Sequence, residues 1–504
     1  MRISTFNRRY FLFTREFGSG EKMSLMMGRR PFVQFFCCFL CALATLFLLL
    51  IDSEFMPWQF RLSSSTAPLK FSGWDLLNST EHRPECGRVF SKDSEYIAKI
   101  SRKRLTFEDP IWLEMDCAEG IRKRNFFPPE GDTEDAEFPL AQARIVYKDY
   151  VFLEKELASS YSPLNWYCYS IDHKANSLFR LRVKLLSACL PNVIVSPYEF
   201  VVDGGGHNIT RAHLDCLRLL TVPEKRWKYV ALLQNHDVAI KTNREMGQIY
   251  RWLNGANDVE VTWLPGGRVN ESMDWTFETI RMFRNANRNF LNTGGFPPKL
   301  VFSKGYVESS LSRKMAEFML NDLDLTETVR RLESGGFGID EILIPSLHAS
   351  DAIGAPGGFT RECIERKEGI RVQHITRVSI WYDVKKCGSG HMRHAICIFG
   401  LEDLGDKLAA WPHLFANKLL PEFDFGALLC WWEEMHRRAH FESRERSLGR
   451  LNRAIYADLP HVRFQKFATE LKKFNEAQQG TKDGIPFRKA LAFFNCSTDE
   501  RNMN

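Results

Sequence analysis

The sequence predicts an α/β fold with a mostly parallel central sheet flanked by helices. Two observations carry this. Short apolar runs alternate with amphipathic segments from Phe138 to Asp237, and three of the runs end on polar residues. Ala141 to Val146 reads as a strand and Leu153 to Ser160 as a helix. Asn165 to Ile171 is an aromatic strand ending at Asp172, followed by a helix from Phe179 to Cys189 and a strand from Asn192 to Val195. Leu214 to Leu220 is helical. Trp227 to Leu233 is a strand running into Gln234-Asn235-His236-Asp237. Such βα alternation builds a parallel sheet. Ligands then bind beyond the strand C-termini. Tyr147, Asp172 and residues 234–237 are therefore expected at the ligand edge. No internal repeat is present.

The chain has 504 residues, 44% of them hydrophobic and 26% charged, which suits a globular protein with a sizeable core. A net charge of +6 is small for this length and gives no argument for nucleic acid. Phe32 to Ile51 is one long apolar run in which Gln34 alone is strongly polar. About 20 such residues cross a bilayer as a helix. Arg2, Arg8, Arg9, Arg15, Lys22, Arg29 and Arg30 precede the run, and Asp52 and Glu54 follow it. The positive flank stays cytoplasmic, so the C-terminal bulk is translocated as in a type II protein. A cleaved signal peptide is the competing reading. The long leader and long run disfavour it, and a start at Met23 would shorten the tail without changing the topology.

The expected organisation is a cytoplasmic tail at 1–31, a signal-anchor at 32–51 and a stem at 52–85 containing Ser63-Ser64-Ser65-Thr66-Ala67-Pro68. A catalytic domain at 86–440 and a charged helical extension at 441–504 follow.

Cys37, Cys38 and Cys41 lie in the apolar run, and ten cysteines lie beyond it. Among those ten no Cys-x-x-Cys pair occurs, which disfavours zinc. An even number in a translocated domain suits disulfides. Asn78, Asn208 and Asn270 head glycosylation sequons, with Asn495 a weaker fourth.

The chemistry points to Ile339-Asp340-Glu341-Ile342-Leu343, read with Gly390-His391-Met392-Arg393 and His413-Leu414-Phe415-Ala416-Asn417-Lys418. A carboxylate with a fixed guanidinium and a fixed ammonium is what sugar transfer from a nucleotide needs when no metal is used. The carboxylate takes the acceptor's proton, and the cations hold the leaving diphosphate. Burial in its apolar stretch is expected to raise the pKa of Glu341. The blander readings are a salt-bridged helix glutamate, surface cations, Asp172 as a helix cap, and His413 as a core histidine. Gly204-Gly205-Gly206 reads as a turn rather than a phosphate cradle. Trp431-Trp432 reads as packing or a subunit contact, which leaves a homodimer open. No metal is expected. The Asp322-Leu323-Asp324 triplet reads as solvated surface on a helix with no strand before it.

Several blocks carry a resemblance. They are Phe138-Pro139-Leu140-Ala141, Tyr167 through Lys174, Trp227-Lys228-Tyr229, Asp237 through Asn243, Asp340-Glu341, Arg393 through Gly400, and His413 through Lys418. In this order they resemble the core-2/I-branching β-1,6-N-acetylglucosaminyltransferase family, which also holds protein xylosyltransferases. The resemblance implies a GT-A type nucleotide-sugar fold, Golgi anchoring as a type II protein, and metal-free catalysis. It makes Glu341 the general base. It places Arg393 and Lys418 on the UDP diphosphate, and Ile145, Val146, Tyr147, Asp172, His173 and Lys174 around uridine. Glu260, Arg268, Trp381 and Tyr382 fall on the acceptor side. It implies the disulfides Cys86–Cys430, Cys117–Cys189, Cys168–Cys216 and Cys387–Cys397, with Cys363 and Cys496 free or paired together.

The acceptor block departs from the family. Asp274 stands before Trp275 where an arginine is expected, and glycines replace aromatic and serine residues around residues 203–207. The implied activity is inverting transfer of N-acetylglucosamine from UDP-N-acetylglucosamine to a glycan hydroxyl, O6 of galactose or N-acetylgalactosamine, as a β-1,6 branch. The alternatives are a xylosyltransferase and an inactive glycan-binding protein.

Overall fold

The computed structural model describes residues 71–77, 83–128, 138–290, 297–366, 372, 374–477 and 487–496. The tail, the apolar run at 32–51, most of the stem and the Asn78 sequon lie outside them. Among the described residues no helix is long and apolar enough to cross a membrane.

Strands β1 (Leu140–Val146), β2 (Trp166–Ile171), β3 (Val193–Val195) and β4 (Tyr229–Leu233) are parallel neighbours in the order β3-β2-β1-β4. Their side chains alternate between two cores, as the two-residue period of a strand requires. Tyr229, Ala231 and Leu233 of β4 join one core, while Val230 and Leu232 join the other. A sheet buried on both faces explains why its strands read as continuous apolar runs. Beside it, β5 (Val238–Ala239) belongs to a small second sheet. The edge strand β6 (Ser310–Ser312) closes the main sheet antiparallel to β4. Strands β7 (Arg377–Val378) and β8 (Phe415–Ala416) complete the second sheet in the order β5-β8-β7. This second sheet carries Arg377 and Lys418 to the C-terminal end of β4.

Helix α1 (Tyr150–Ser159) starts earlier than the local pattern implies. The Asp109 carboxylate, from a distant segment, accepts the Val151 N–H at 3.1 Å and that of Tyr150 as well, satisfying two of its first-turn donors. Asn176 caps α2 (Ser177–Cys189), accepting the Phe179 N–H at 2.8 Å. Helix α3 (Ile209–Leu220) also begins early, at the end of the glycine-rich loop. Thr242 and Glu245 form a capping box on α4 (Asn243–Leu253).

Helix α5 (Leu343–Ala349) follows the Asp340-Glu341 turn, and α6 (Pro421–His440) packs on α1. Trp431 and Trp432 on α6 are fully buried. Their indole N–H groups donate to the Ala239 carbonyl at 2.8 Å and to Glu156 at 3.0 Å, so these side chains are packing.

Phe71–Asn504 forms one compact unit. The C-terminal helices Arg444–Gly449, Arg453–Ala457 and Pro460–Ala477 pack into it. Buried His461 lies 3.3 Å from the Asp258 carboxylate, and Tyr456 stacks on Trp252. The four disulfides implied by the resemblance are formed, and Cys363 pairs with Cys496.

One expectation is corrected. Asp322 and Asp324 do not lie on a helix lacking a strand before it. Strand β6 leads directly into the helix Arg313–Asn321, and the two aspartates follow its end. Leu323 there bridges to Phe283, and Asp324 accepts the Thr326 N–H.

Candidate active site

A cleft of about 440 Å³ opens at the C-terminal ends of β1, β2 and β4. Ile145 and Tyr147 line it, whereas Val146, between them, is fully buried in the core. Strand alternation forces this, so Val146 is removed from the expected uridine set. At the end of β2, buried Asp172 accepts the Lys174 backbone N–H at 3.1 Å and pairs with the Lys174 ammonium at 2.8 Å. That ammonium sits 4.4 Å above the Tyr147 ring. The Tyr147 N–H donates to Asn235 at 2.8 Å, joining the ends of β1 and β4. His173 points elsewhere: its exposed ring lies 3.9 Å from Glu199 and does not line the cleft.

The two cations meet at the next stretch of wall. Lys418 lines the cleft, and burial together with the nearby Arg393 and Arg377 charges lowers its pKa. Arg393 stands at the rim, half-exposed, 2.9 Å from Glu422, which also binds Lys148 at 2.9 Å. Burial pushes Glu422 up, but the hydrogen bond and charge of Lys148, among others, outweigh it and hold the carboxyl at about 2.

Glu341 faces the same cleft. Its carboxylate lies 3.1 Å from Arg268 and 3.1 Å from Lys304, a partner that nothing in the local sequence indicated. The strong burial expected at Glu341 falls on its neighbour. Burial and then the Glu341 charge push Asp340 up to about 7. Glu341 itself keeps a quarter of its side chain exposed.

Two glycines let the loops close here. Gly206 has φ +93, and a Cβ there would meet the Asp340 carboxylate at 2.1 Å. Gly338 has φ +63, and a Cβ there would meet Arg268 at 1.7 Å. The Gly204–Gly206 stretch is thus a turn that wraps Asp340, with Gly204 and Gly206 on the cleft surface.

The expected acceptor residues are only partly assembled. Trp381 lines the cleft and stacks on Tyr306. Arg268 engages Glu341 from behind the lining residues. Glu260 is buried, accepts the Tyr306 N–H at 3.0 Å and does not line the cleft. Tyr382 is 81% exposed and also lies outside the lining. Asp274 is exposed and accepts hydrogen bonds from Thr276 and Thr279, which makes it a local cap of the short helix Phe277–Ile280.

Of the sequons, Asn270 is exposed, while half-buried Asn208 donates its amide to the Val201 carbonyl. Sequence reading missed Lys304, Glu308, Arg377 and the buried His236–Asp149 pair, 2.6 Å apart. The one local signal was a carboxylate set in the run Val307-Glu308-Ser309, where its neighbours are buried. Chemically, the cleft offers a carboxylate facing one end and two cations at the other. Among the described residues, no group of three or more His, Cys, Asp or Glu is placed to hold a metal ion.

The model of the Core-2/I-Branching enzyme family matches residues 140–406, just over half of the chain. The chain belongs to that family. The match runs from the first residue of β1 past Arg393. Among curated relatives, a human β-1,3-galactosyl-O-glycosyl-glycoprotein β-1,6-N-acetylglucosaminyltransferase is 27% identical over 70% of this chain and 85% of its own length. Its counterpart in Bos taurus is 26% identical over 78% of this chain and 94% of its own. A second human enzyme of that name, numbered 3, is 26% identical over 79% and 93%. These relatives are glycosyltransferases, and so is this core-2/I-branching family member. The solved yeast mannosyltransferase Ktr4p aligns with 53% of this chain and 82% of its own at 13% identity. Its TM-score of 0.24 is too low to bear on the fold.

Proposed function

We propose that this core-2/I-branching enzyme transfers N-acetylglucosamine from UDP-N-acetylglucosamine to O6 of a galactose or N-acetylgalactosamine in a glycan acceptor. Transfer inverts the anomeric centre and needs no metal. The observation that carries this is one cleft, at the ends of parallel strands, holding Asp172, Lys418 and Glu341 together.

In this mechanism Tyr147, Asp172 and Lys174 seat the uridine. The Glu341 carboxylate takes the acceptor hydroxyl proton. The freed oxygen attacks C1 of the sugar, the C1–oxygen bond to the diphosphate breaks, and UDP leaves. Lys418 and Arg393 offset the charge developing on the leaving group, the role a divalent cation plays elsewhere. Arg268 and Lys304 hold the Glu341 carboxyl in place. The β-1,6 linkage is the one named for the relatives. The acceptor side supports a changed acceptor, because Glu260, Tyr382 and Asp274 do not face the cleft. Five disulfides suit an oxidising compartment, in keeping with a Golgi enzyme anchored by the 32–51 run.

The test is a transfer assay with UDP-N-acetylglucosamine, EDTA and core-1, core-3 and poly-N-acetyllactosamine acceptors. Transfer that survives EDTA is expected. Transfer from UDP-xylose alone would make the chain a xylosyltransferase. UDP binding without transfer to any acceptor would favour an inactive glycan-binding protein.

A further inference from the structure

The cleft wall between Lys418 and Glu341 carries polar atoms that the displacement leaves unused. Glu308 is 1% exposed and Arg377 5% exposed, and both line the cleft with Trp381. Glu308 Oε1, Arg377 Nε and the Trp381 indole N–H are each buried without a hydrogen-bond partner among the described residues. Glu308 Oε1 does lie 2.7 Å from an Arg377 nitrogen, a charge contact whose angles fall short of a hydrogen bond. Arg377 is also shared with Asp237 at 3.6 Å, so one guanidinium serves two carboxylates. Buried polar atoms without partners are rare and costly, and three on one cavity wall call for a ligand.

Their position says which part of a ligand. Arg377 lies close enough to Lys418 to weaken its hold on a proton, and Glu308 feels the charge of Asp340, next to Glu341. The pair therefore spans the gap between the diphosphate cation and the base. In a displacement at C1 that gap holds the sugar being transferred.

We propose that Glu308, Arg377 and the Trp381 indole N–H bind the hydroxyl and amide groups of the transferred sugar, making this wall the selector of the donor. The proposal rests on the nucleotide-sugar reading above. A carboxyl accepts from sugar hydroxyls, while the guanidinium and indole donate to hydroxyl or acetamido oxygens. Burial pushes the Glu308 carboxyl up to about 8 against the pull of Arg377, as expected for a group whose partner is shared and whose ligand is missing.

The test compares two affinities in each protein. UDP and UDP-N-acetylglucosamine are titrated calorimetrically into the wild-type protein, Glu308→Gln and Trp381→Phe, with UDP-glucose and UDP-xylose as further donors and melting temperature as a folding check. In the wild type the sugar should tighten binding relative to UDP. Glu308→Gln should leave the Kd for UDP within about twofold and weaken that for the UDP-sugar by about tenfold, the loss of a hydrogen bond to a charged group. Trp381→Phe should show a smaller shift in the same direction. A ratio of the two affinities that is unchanged in both variants overturns the proposal and leaves the transferase reading standing. A wild-type protein that binds no UDP overturns that reading and this proposal with it. Should Glu308→Gln fail to fold, Trp381→Phe decides alone, and an unchanged ratio there overturns the proposal.

Discussion

At the strand-end wall the polar groups are tied to neighbouring strands, whereas at the opposite wall Glu341 is tied to cations from separate loops. Asp172, Lys174, Tyr147 and Asn235 sit on the ends of β1, β2 and β4 and bind one another across them. The sheet fixes their spacing. Glu341, Arg268 and Lys304 come from segments joined only through Gly206 and Gly338, where no side chain fits. Loops on a rigid scaffold vary more freely than the scaffold itself. The contrast accounts for a donor side that keeps the family's residues and an acceptor side that replaces an arginine with Asp274. It separates two jobs, nucleotide binding on the sheet and acceptor activation on the loops, and each job can be broken alone.

The largest expected effect is on the loop wall. Glu341→Gln should lower kcat by roughly 10²- to 10⁴-fold, the usual contribution of a general base, with UDP affinity unchanged. Steady-state kinetics alongside UDP titration would separate the two. Near-normal transfer would remove Glu341 as the base. A matching loss of UDP affinity would show that the two walls are not independent.

A second contrast concerns stability against pH. His213 lies on α3 against the Leu233 carbonyl, behind the strand-end wall, and burial lowers it to about 4. His348 lies on α5, behind the loop wall, and burial lowers it to about 3. The unfolded chain binds protons at both sites near pH 6.5, while the folded chain waits for much lower pH. More protons are then bound by the unfolded state, so stability falls as the pH drops below about 6.5. The loss is on the order of 2 kcal/mol per histidine at pH 5. Urea unfolding at pH 7 and pH 5 measures it. His213→Gln and His348→Gln should each flatten the profile, showing which wall gives way first.

How much of this was legible in the sequence follows the same division. The strands, the ligand edge and the ends Tyr147, Asp172 and Gln234 could be read because they depend on short-range periodicity and on a rule about sheet edges. The exclusion of Val146 was available from the same periodicity, since Ile145 and Tyr147 must share a face. The early start of α1 was not, because its capping carboxylate, Asp109, is far away in sequence. Lys304 beside Glu341 and Arg377 beside Glu308 were hidden for that reason too. Each pair joins segments whose approach is decided only by the folded loops. Burial at Asp340 rather than Glu341 depends on which of two adjacent carboxylates turns inward under Gly206, which no apolar pattern specifies.

On the donor side, Lys418→Ala should weaken UDP binding by about tenfold or more, since a charge-assisted contact to a diphosphate is lost. Arg393→Ala should do the same to a smaller degree because Arg393 is half-exposed at the rim. Titration with UDP and with uridine provides the check, as uridine affinity should be unmoved by either change. Equal losses for uridine would place these cations somewhere other than beside the diphosphate.

The smallest effect expected is a gain. Without nucleotide, Glu422 occupies both Arg393 and Lys148, each at 2.9 Å, and so competes with any diphosphate for the same cations. Glu422→Gln removes the competing charge while keeping the size of the side chain, and UDP should then bind about two- to threefold more tightly at low salt. The gain should fade as ionic strength rises, because the groups concerned are partly exposed and screened. Weaker UDP binding in Glu422→Gln would mean that the carboxylate positions Arg393 and Lys148 rather than occupying them. In that case the rim, like the sheet edge behind it, is organised before the donor arrives.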